Sequence, residues 1–334
     1  MPARIGVIGC KGNHAEGIID CEHGEYVACA DLDAEAARSF AEEYGGGWYT
    51  DHRTMIAEAD LDGVTIATPS GTHAELAIDA MEAGVHVLCE KPLDVYIDRV
   101  DRMVETADRE DVILAGIFQR RGIPAHQRAR EAIQAGELGR PVLGDVRIKW
   151  YRTDEYYAAA DWKGTRALDG GCMMNQGIHE IDLLQWLMGG IESVYAYTDT
   201  LDHDIEMEDV GVVAVAFENG AYGTIEATTC APDGRGRSGV EIDGTEGSYV
   251  PGDRLVTADG EIDLDELPDP DPGARNGQVA DFAAAIVEGR EPMVPGHEAR
   301  DAVAVVLACY ASATLDRRVA LDELRDLQEH TEAS

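Results

Sequence analysis

The chain has 334 residues, 45% of them apolar, which is too long for one ordinary domain and enough to fill two cores. It carries 65 Asp and Glu against 27 Lys and Arg, a formal net charge of −38, but the apolar content excludes a disordered polyanion. Such a balance leaves no basic stripe to neutralise phosphates, which excludes a nucleic-acid surface.

The acids are spread along the whole chain, and the bases are nearly all arginine; lysine occurs only at 11, 91, 149 and 163. This is the surface chemistry expected of a salt-adapted cytoplasmic protein. Seven cysteines (10, 21, 29, 89, 172, 230 and 309) are scattered without a C-x-x-C pair. They read as buried thiols in a reducing compartment, not as a disulfide frame or zinc site. The first apolar run reads as a short strand and not as a signal peptide, and no stretch approaches the roughly 20 apolar residues needed to span a bilayer.

In chain order, residues 4–8, 26–30, 63–67, 86–89 and 112–117 read as strands, rich in β-branched residues and suited to a parallel sheet buried on both faces. Residues 34–44, 72–83 and 97–108 read as helices between them, with Asp33 and Ser70 or Thr72 as caps and Gly45 and Gly84 as stops. This alternation predicts a doubly wound α/β domain over residues 1–120. The pattern then changes. A helix at 125–135, a long strand at 142–151, an aromatic and glycine-rich loop to 171 and a helix at 174–188 come next. Strands at 191–197, 210–217, 221–229, 239–243 and 248–250 follow in succession, with Glu218-Asn219-Gly220 as a tight turn. Strands in succession predict an antiparallel sheet, hence an α+β domain over 121–334. An acidic, proline-containing loop at 265–275, helices at 276–288 and 296–313, and a polar surface helix after 317 complete the expectation.

The first strand runs into Gly9-Cys10-Lys11-Gly12-Asn13-His14-Ala15. A dinucleotide site needs glycines there, so that the backbone turns tightly and approaches a pyrophosphate. The spacing has one residue more than G-x-G-x-x-G, so a plain glycine turn is the competing reading. The second strand ends in Asp31, where an acid accepts ribose hydroxyls and repels a 2′-phosphate, favouring NAD; Lys11 leaves NADP open. Thr68-Pro69-Ser70-Gly71-Thr72-His73 lies at the same sheet edge, with His73 either a ligand or a first-turn surface residue.

Lys91 ends the apolar run Val87-Leu88-Cys89-Glu90 and is followed by Pro92, which bars helical continuation. It therefore stands at the carboxyl edge of the sheet, where open α/β sheets bind ligands. In Asp169-Gly170-Gly171-Cys172-Met173-Met174-Asn175-Gln176-Gly177-Ile178-His179-Glu180-Ile181-Asp182, one helical face carries Asn175, His179 and Asp182. Trp150, Tyr151, Arg152, Tyr156, Tyr157, Trp162 and Lys163 crowd aromatic and cationic groups together, as sugar sites do; ordinary packing is the alternative. Asp202-His203-Asp204 and Glu206-Met207-Glu208-Asp209 hold metal-ligand types, but in so acidic a chain no metal is expected.

These features together resemble the Gfo/Idh/MocA oxidoreductases, named for glucose-fructose oxidoreductase and inositol dehydrogenase. The likeness runs through the strand-glycine start, Thr68-Pro69 with His73, Ala83 to Pro92, and Gly136-Glu137-Leu138-Gly139. It continues in Gly170-Gly171 with His179 and Asp182, in Glu206 to Asp209, and in Asp281-Phe282 with the helix after Gly296. The resemblance implies an N-terminal Rossmann domain, a C-terminal domain with a large open, mostly antiparallel sheet flanked by helices, and NAD or NADP at the strand ends. It implies Lys91 and His179 as catalytic residues and a sugar, cyclitol or sugar-like substrate. Cofactor contacts are expected from Gly9, Lys11, Gly12, Asn13, His14, Asp31, Thr68, Pro69, His73, Glu90 and Lys91. Substrate contacts are expected from Asn175, Arg152, Tyr156, Trp162, Lys163 and Asp182. Asn175 stands where the family often has Asp, and Lys163 where many members have Arg.

The expected activity is dehydrogenation of a secondary alcohol, with His179 as base and Lys91 stabilising the developing alkoxide. An unperturbed imidazole, at about 6.5, suits that task near neutrality. The alternatives are an NAD-dependent glycoside hydrolase of the same fold and a non-catalytic nucleotide-binding sensor. An open sheet leaves one face to cover, which predicts a homodimer or homotetramer through the C-terminal sheet.

Overall fold

The structure is a computed structural model that describes residues 1–12, 14–232, 238–264 and 274–327. The chain divides into two compact units, residues 1–122 with 271–300 and residues 123–270 with 301–334.

The first unit is built on strands β1 (Ala3–Ile8), β2 (Gly24–Ala30), β3 (Gly47–Tyr49), β4 (Gly63–Ile66), β5 (His86–Cys89) and β6 (Leu114–Gly116). They form one sheet in the order β3-β2-β1-β4-β5-β6, every neighbouring pair parallel. Helices α1 (His14–Ile19), α2 (Ala34–Tyr44), α3 (His52–Glu58), α4 (His73–Glu82) and α5 (Ile97–Glu110) alternate with the strands. The order reverses between β1 and β4, the switch point at which such sheets bind ligands beyond their carboxyl ends. The loops after β1, β4 and β5 therefore gather at one edge.

Asp33 caps α2 as its sequence position predicts, its Oδ1 accepting from Glu35 N at 2.9 Å. The expected Ser70 or Thr72 cap on α4 is absent: Thr72 Oγ1 donates to Pro69 O, and buried Asp94 accepts from Ala74 N. Ile5, Val7, Leu88 and Ile117 are fully buried, and Val279, Phe282 and Ala283 join their core from a helix far along the chain, α9 (Ala274–Glu288), which the sequence order had assigned to the second domain. The short β3 and α3 were not foreseen; a three-residue strand has too few positions to show a period.

The second unit contains α6 (Pro124–Gln134), β7 (Pro141–Lys149), α7 (Asp154–Ala158), a π-helical turn at Cys172–Gly177, α8 (Ile178–Met188), β8 (Ile191–Asp199), β9 (Val210–Phe217), β10 (Tyr222–Thr228), β11 (Gly239–Gly244), β12 (Gly247–Val250), β13 (Arg254–Thr257) and β14 (Gly260–Asp263). The last helix α10 (Gly296–Leu315) and β15 (Val319–Ala320) complete the elements. The sheet order is β14-β13-β12-β11-β7-β10-β9-β8-β15, with β7 and β10 the one parallel pair. Gly220, at φ +84°, closes the β9–β10 turn, and Asn219 Oδ1 accepts from Ala221 N at 2.9 Å. On one sheet face α8 packs so closely that a Cβ on Gly144 would lie 3.1 Å from Met188. Tyr197, Val212 and Tyr222 are exposed on the same sheet. The tail after Arg317 forms β15 and a 3₁₀ segment at Leu321–Leu327; of the expected loop at 265–275, residues 265–273 lie outside the described residues. Among the described residues no helix is long and apolar enough to cross a membrane.

Candidate functional site

In the first unit, Gly9 has φ +89°, and a Cβ there would sit 2.6 Å from Ala67 O. Gly12 has φ +73°. The loop thus presents bare backbone, as close approach by a pyrophosphate requires. Lys11 and Gly12 are exposed, and Asn13 lies outside the described residues. Asp31 holds the loop as well as ending β2: its Oδ2 accepts from Cys10 N and its Oδ1 from Asp33 N, both at 2.9 Å. Each oxygen keeps a lone pair for a ribose hydroxyl.

His14 is buried, with Nε2 3.3 Å from Glu90 Oε1, which links the glycine loop to the end of β5. Its Nδ1 is buried without a hydrogen-bond partner. An orphaned nitrogen beside a glycine cradle fits a site that a polar ligand completes. Glu90 Oε2 accepts from Lys91 N at 3.2 Å, and Lys91 is half-buried. Thr68 and Pro69 lie half-buried after β4, and Thr68 Oγ1 is 2.8 Å from Thr72 Oγ1. His73 is turned inward, its ring nitrogens at the main-chain oxygens of Pro92 and Thr68.

In the second unit, the segment from Asp169 to Asp182 contains the π-helical turn, and Gly171, just before it, leaves no room for a side chain. A Cβ there would meet Glu208 Oε2 at 1.9 Å. Glu208 Oε1 instead accepts from Met173 N at 2.9 Å and from Tyr310 Oη at 3.0 Å, anchoring the start of that turn. Burial raises the Glu208 carboxyl to about 7, against the pull of the Met173 amide and the Tyr310 hydroxyl. His179 and Asp182 follow on α8, both buried, and Asn175 is half-buried on the π turn.

The structure joins four of the predicted residues of this unit, Asn175, Arg152, Tyr156 and Lys163, in one network with Asp169 and Gln176. Asn175 Nδ2 donates to Asp169, and Asn175 Oδ1 accepts from Gln176 Nε2 at 3.0 Å. Gln176 Nε2 also donates to Tyr156 Oη at 3.0 Å, while its Oε1 accepts from Arg152 Nε at 3.0 Å and from Arg152 Nη2 at 2.5 Å. The Arg152 guanidinium lies 4.8 Å from the Tyr156 ring centre and 5.2 Å from that of Trp150. Lys163 Nζ stands 3.7 Å over the Tyr156 ring and donates to Tyr156 O at 3.1 Å. Trp162 is half-buried, its carbonyl accepting from Thr165 Oγ1 at 2.6 Å.

Gln176 and Asp169 are members of this network that sequence reading did not single out. Gln176 is the hub, and its signal was its place beside Asn175. His203 was also missed as a support: its Nε2 lies 2.8 Å from Arg152 O and its Nδ1 3.0 Å from Asp209 Oδ2. Among the described residues, Asp202, His203 and Cys230 bring potential metal-ligand atoms within 4.8 Å of one another. Both His203 nitrogens are already engaged, and burial pushes the Cys230 thiol up to about 11, so the donor set fits a structural knot better than an ion. Burial pushes the Asp209 carboxyl up, but the amides of His203, Leu201 and Asp202 outweigh it and lower its pKa.

Residues 3–118 match the oxidoreductase family described by its NAD-binding Rossmann fold, and residues 126–250 match the GFO/IDH/MocA C-terminal domain. The myo-inositol 2-dehydrogenase of Thermotoga maritima is 31% identical over 73% of this chain and 73% of its own. The D-xylose 1-dehydrogenase (NADP(+)) 2 of Haloferax volcanii is 29% identical over 95% of this chain and 99% of its own. Among solved structures, the WlbA dehydrogenase from Bordetella pertussis, in complex with NADH and UDP-GlcNAcA, is 32% identical. It superimposes with a TM-score of 0.86, covering 96% of this chain and 99% of that one. With the glycine cradle at one sheet edge and both family domains matched, the chain belongs to the Gfo/Idh/MocA family of NAD-binding oxidoreductases.

Proposed function

We propose that the protein oxidises a secondary alcohol of a carboxylated sugar, free or nucleotide-linked, with NAD. The carrying observation is the Arg152 guanidinium, which donates twice to Gln176 Oε1 and lies near the Trp150 and Tyr156 rings, with Lys163 Nζ over the same Tyr156 ring. A chain with 27 basic and 65 acidic residues that places two cations on one aromatic ring is equipped to take an anion. The likeness to a structure holding a sugar acid linked to a nucleotide supports the same reading. NAD, when bound, supplies the hydride acceptor. His179 takes the hydroxyl proton, and Lys91 donates a hydrogen bond to that oxygen as negative charge develops. Asn175, oriented by Asp169 and Gln176, holds a neighbouring hydroxyl. Asp31 selects NAD over NADP by repelling a 2′-phosphate.

The exposed Tyr197, Val212 and Tyr222 of the open sheet support a homodimer or homotetramer through that face. The dispersed acidic surface supports a cytoplasmic protein working in concentrated salt. Light scattering in high salt tests the assembly, and a monomer refutes it.

NADH absorbance with UDP-linked uronic acids, free uronic acids, aldoses and inositols, each with NAD or NADP, tests the activity. NADH formation is expected with an acidic sugar and NAD. Reduction of neither nucleotide by any of them, or aglycone release from a nitrophenyl glycoside without net NADH, overturns the reading.

A further inference from the structure

His73 is 1% exposed, and each of its ring nitrogens lies 2.8 Å from a main-chain oxygen: Nδ1 from Pro92 O and Nε2 from Thr68 O. A carbonyl oxygen only accepts. A neutral imidazole has a single N–H, so either tautomer would set a ring lone pair against a carbonyl lone pair. The imidazolium alone donates to both. We propose that His73 is a buried imidazolium that clamps the turn after β4 to the Lys91–Pro92 turn, and so positions Lys91 instead of contacting the cofactor.

A charge buried this deeply needs a counter-charge. Asp94, 0% exposed and two residues beyond Pro92, provides it. Its Oδ2 accepts from Ala74 N, the residue after His73, at 3.2 Å. Its Oδ1 accepts from Val95 N at 2.8 Å and from Tyr96 N at 3.2 Å. Burial raises the Asp94 carboxyl, and Arg99, the Ala74 amide and His73 each pull it back down. The Arg99 guanidinium lies 3.8 Å from the same Oδ1 and donates to Gly71 O at 3.1 Å. Residues 68–74 are thus tied to residues 92–99 through one imidazolium, one carboxylate and one guanidinium.

Lys91 stands one residue before the clamped Pro92 carbonyl. On its other flank Glu90 N donates to Ile66 O at 3.0 Å, and Lys91 N donates to Glu90 Oε2 at 3.2 Å. With both flanks held, the base of the lysine side chain has a fixed place. A displacement of about 1 Å in a reacting group can cost roughly 100-fold in rate.

The clamp belongs to the first unit and is measurable without substrate; its effect on turnover rests on the dehydrogenase reading. The full chain labelled with ¹⁵N-histidine is the sample. Burial slows proton exchange, so the His73 ring protons are observable near neutral pH. Two ring N–H correlations are expected for His73, assigned by their loss in His73→Gln and by through-bond correlation in the wild type should that variant not fold. A single N–H with one bare nitrogen overturns the proposal. In the second arm, the one nitrogen of the His73→Gln side chain replaces two donors on opposite sides of a ring. Turnover is expected to fall between about 10- and 100-fold, with the NAD dissociation constant, read by NADH fluorescence, within roughly two-fold of wild type. Unchanged turnover, or a collapse of NAD affinity that would mark His73 as a cofactor ligand, overturns it. No NADH from the wild type with any substrate defeats the dehydrogenase reading alone, because the spectrum still decides the clamp.

Discussion

In the first unit the groups offered to a ligand are largely main chain, and buried or half-buried side chains hold that main chain in place. His14 with Glu90 and Asp31 with the Cys10 amide do this for the glycine loop, and His73 with Asp94 for the turns after β4 and β5. In the second unit side chains hold one another: Asp169, Asn175, Gln176, Tyr156 and Arg152 form a chain of contacts. On the proposed function, the difference follows from what each half has to recognise. A dinucleotide is the same molecule throughout a family, so backbone geometry can serve it. Substrates differ, and a network of exchangeable side chains can be retuned without touching the fold. Substitutions in the first unit and at the reacting groups should therefore act on turnover, and substitutions in the Arg152 network on KM.

The sharpest test takes one proposed reacting group from each unit. Lys91→Met and His179→Asn should each lower kcat by about 10²- to 10⁴-fold. The NAD dissociation constant should stay near wild type, as read by NADH fluorescence. A variant that raises the sugar KM at constant kcat would show that its residue only binds, and would erase the distinction between reacting groups and the Arg152 network.

Glu208 gives the next largest effect, on stability. The second unit anchors its π turn with a buried acid, where the first uses a buried base. Its pKa is raised from 4.5 to about 7 by burial. Between those values the native state keeps a proton that the unfolded chain has lost. Stability from this group is therefore greatest below about pH 4.5, falls as pH rises to about 7, and is level beyond, by about 3 kcal/mol in all. Glu208→Gln keeps an oxygen for Met173 N and Tyr310 Oη but does not titrate. Urea denaturation across this window should show wild type losing stability relative to Glu208→Gln as pH rises. Parallel curves would mean that Glu208 titrates as an ordinary exposed acid.

Much of this division was legible in the residues. The periods of β1, β4 and β5 placed Gly9, Thr68 and Lys91 at one sheet edge, because parallel strands bring their carboxyl ends together. Helical spacing put Asn175, His179 and Asp182 on one face, whereas in the structure Asn175 stands on a π-helical turn ahead of α8. The inward turn of His73 was not legible: its partners are main-chain oxygens, which no side-chain pattern reports. Nor was the return of α9 to the first core, since Val279 and Phe282 meet Ile5 and Val7 only through long-range packing. Gln176 escaped because a hub is defined by partners at 152, 156 and 175, and spacing along the chain shows only the last of them.

Arg152→Met removes the guanidinium while keeping an unbranched apolar stem. If the cation takes a substrate carboxylate, a charge-assisted contact worth about 1.5–3 kcal/mol is lost. KM for an acidic sugar should then rise roughly 10- to 100-fold, with kcat within a few-fold and KM for a neutral sugar little changed. Equal losses on acidic and neutral sugars would make Arg152 a support for Gln176 and Tyr156, and the network would then resemble His14, Glu90 and His73 in holding a frame.

Lys163 should show the smallest effect, and it separates two ways in which a cation can serve the network. Its Nζ lies 3.7 Å over the Tyr156 ring and donates to the Tyr156 carbonyl. If it only seats that ring, Lys163→Met costs a partly exposed cation–π contact of about 0.5–1 kcal/mol, or roughly two- to five-fold in KM, the same for every substrate. Lys163→Arg keeps the charge over the ring and should restore KM, since a guanidinium stacks on an aromatic face at least as well as an ammonium. If Lys163 also meets the substrate's negative charge, the loss in Lys163→Met will shrink as salt is raised, because a screened ion pair weakens while a ring contact does not. KM measured at low and high ionic strength for these two variants decides between them. Salt-independent KM ratios would place Lys163 with the frame and leave Arg152 as the anion-binding cation of the network.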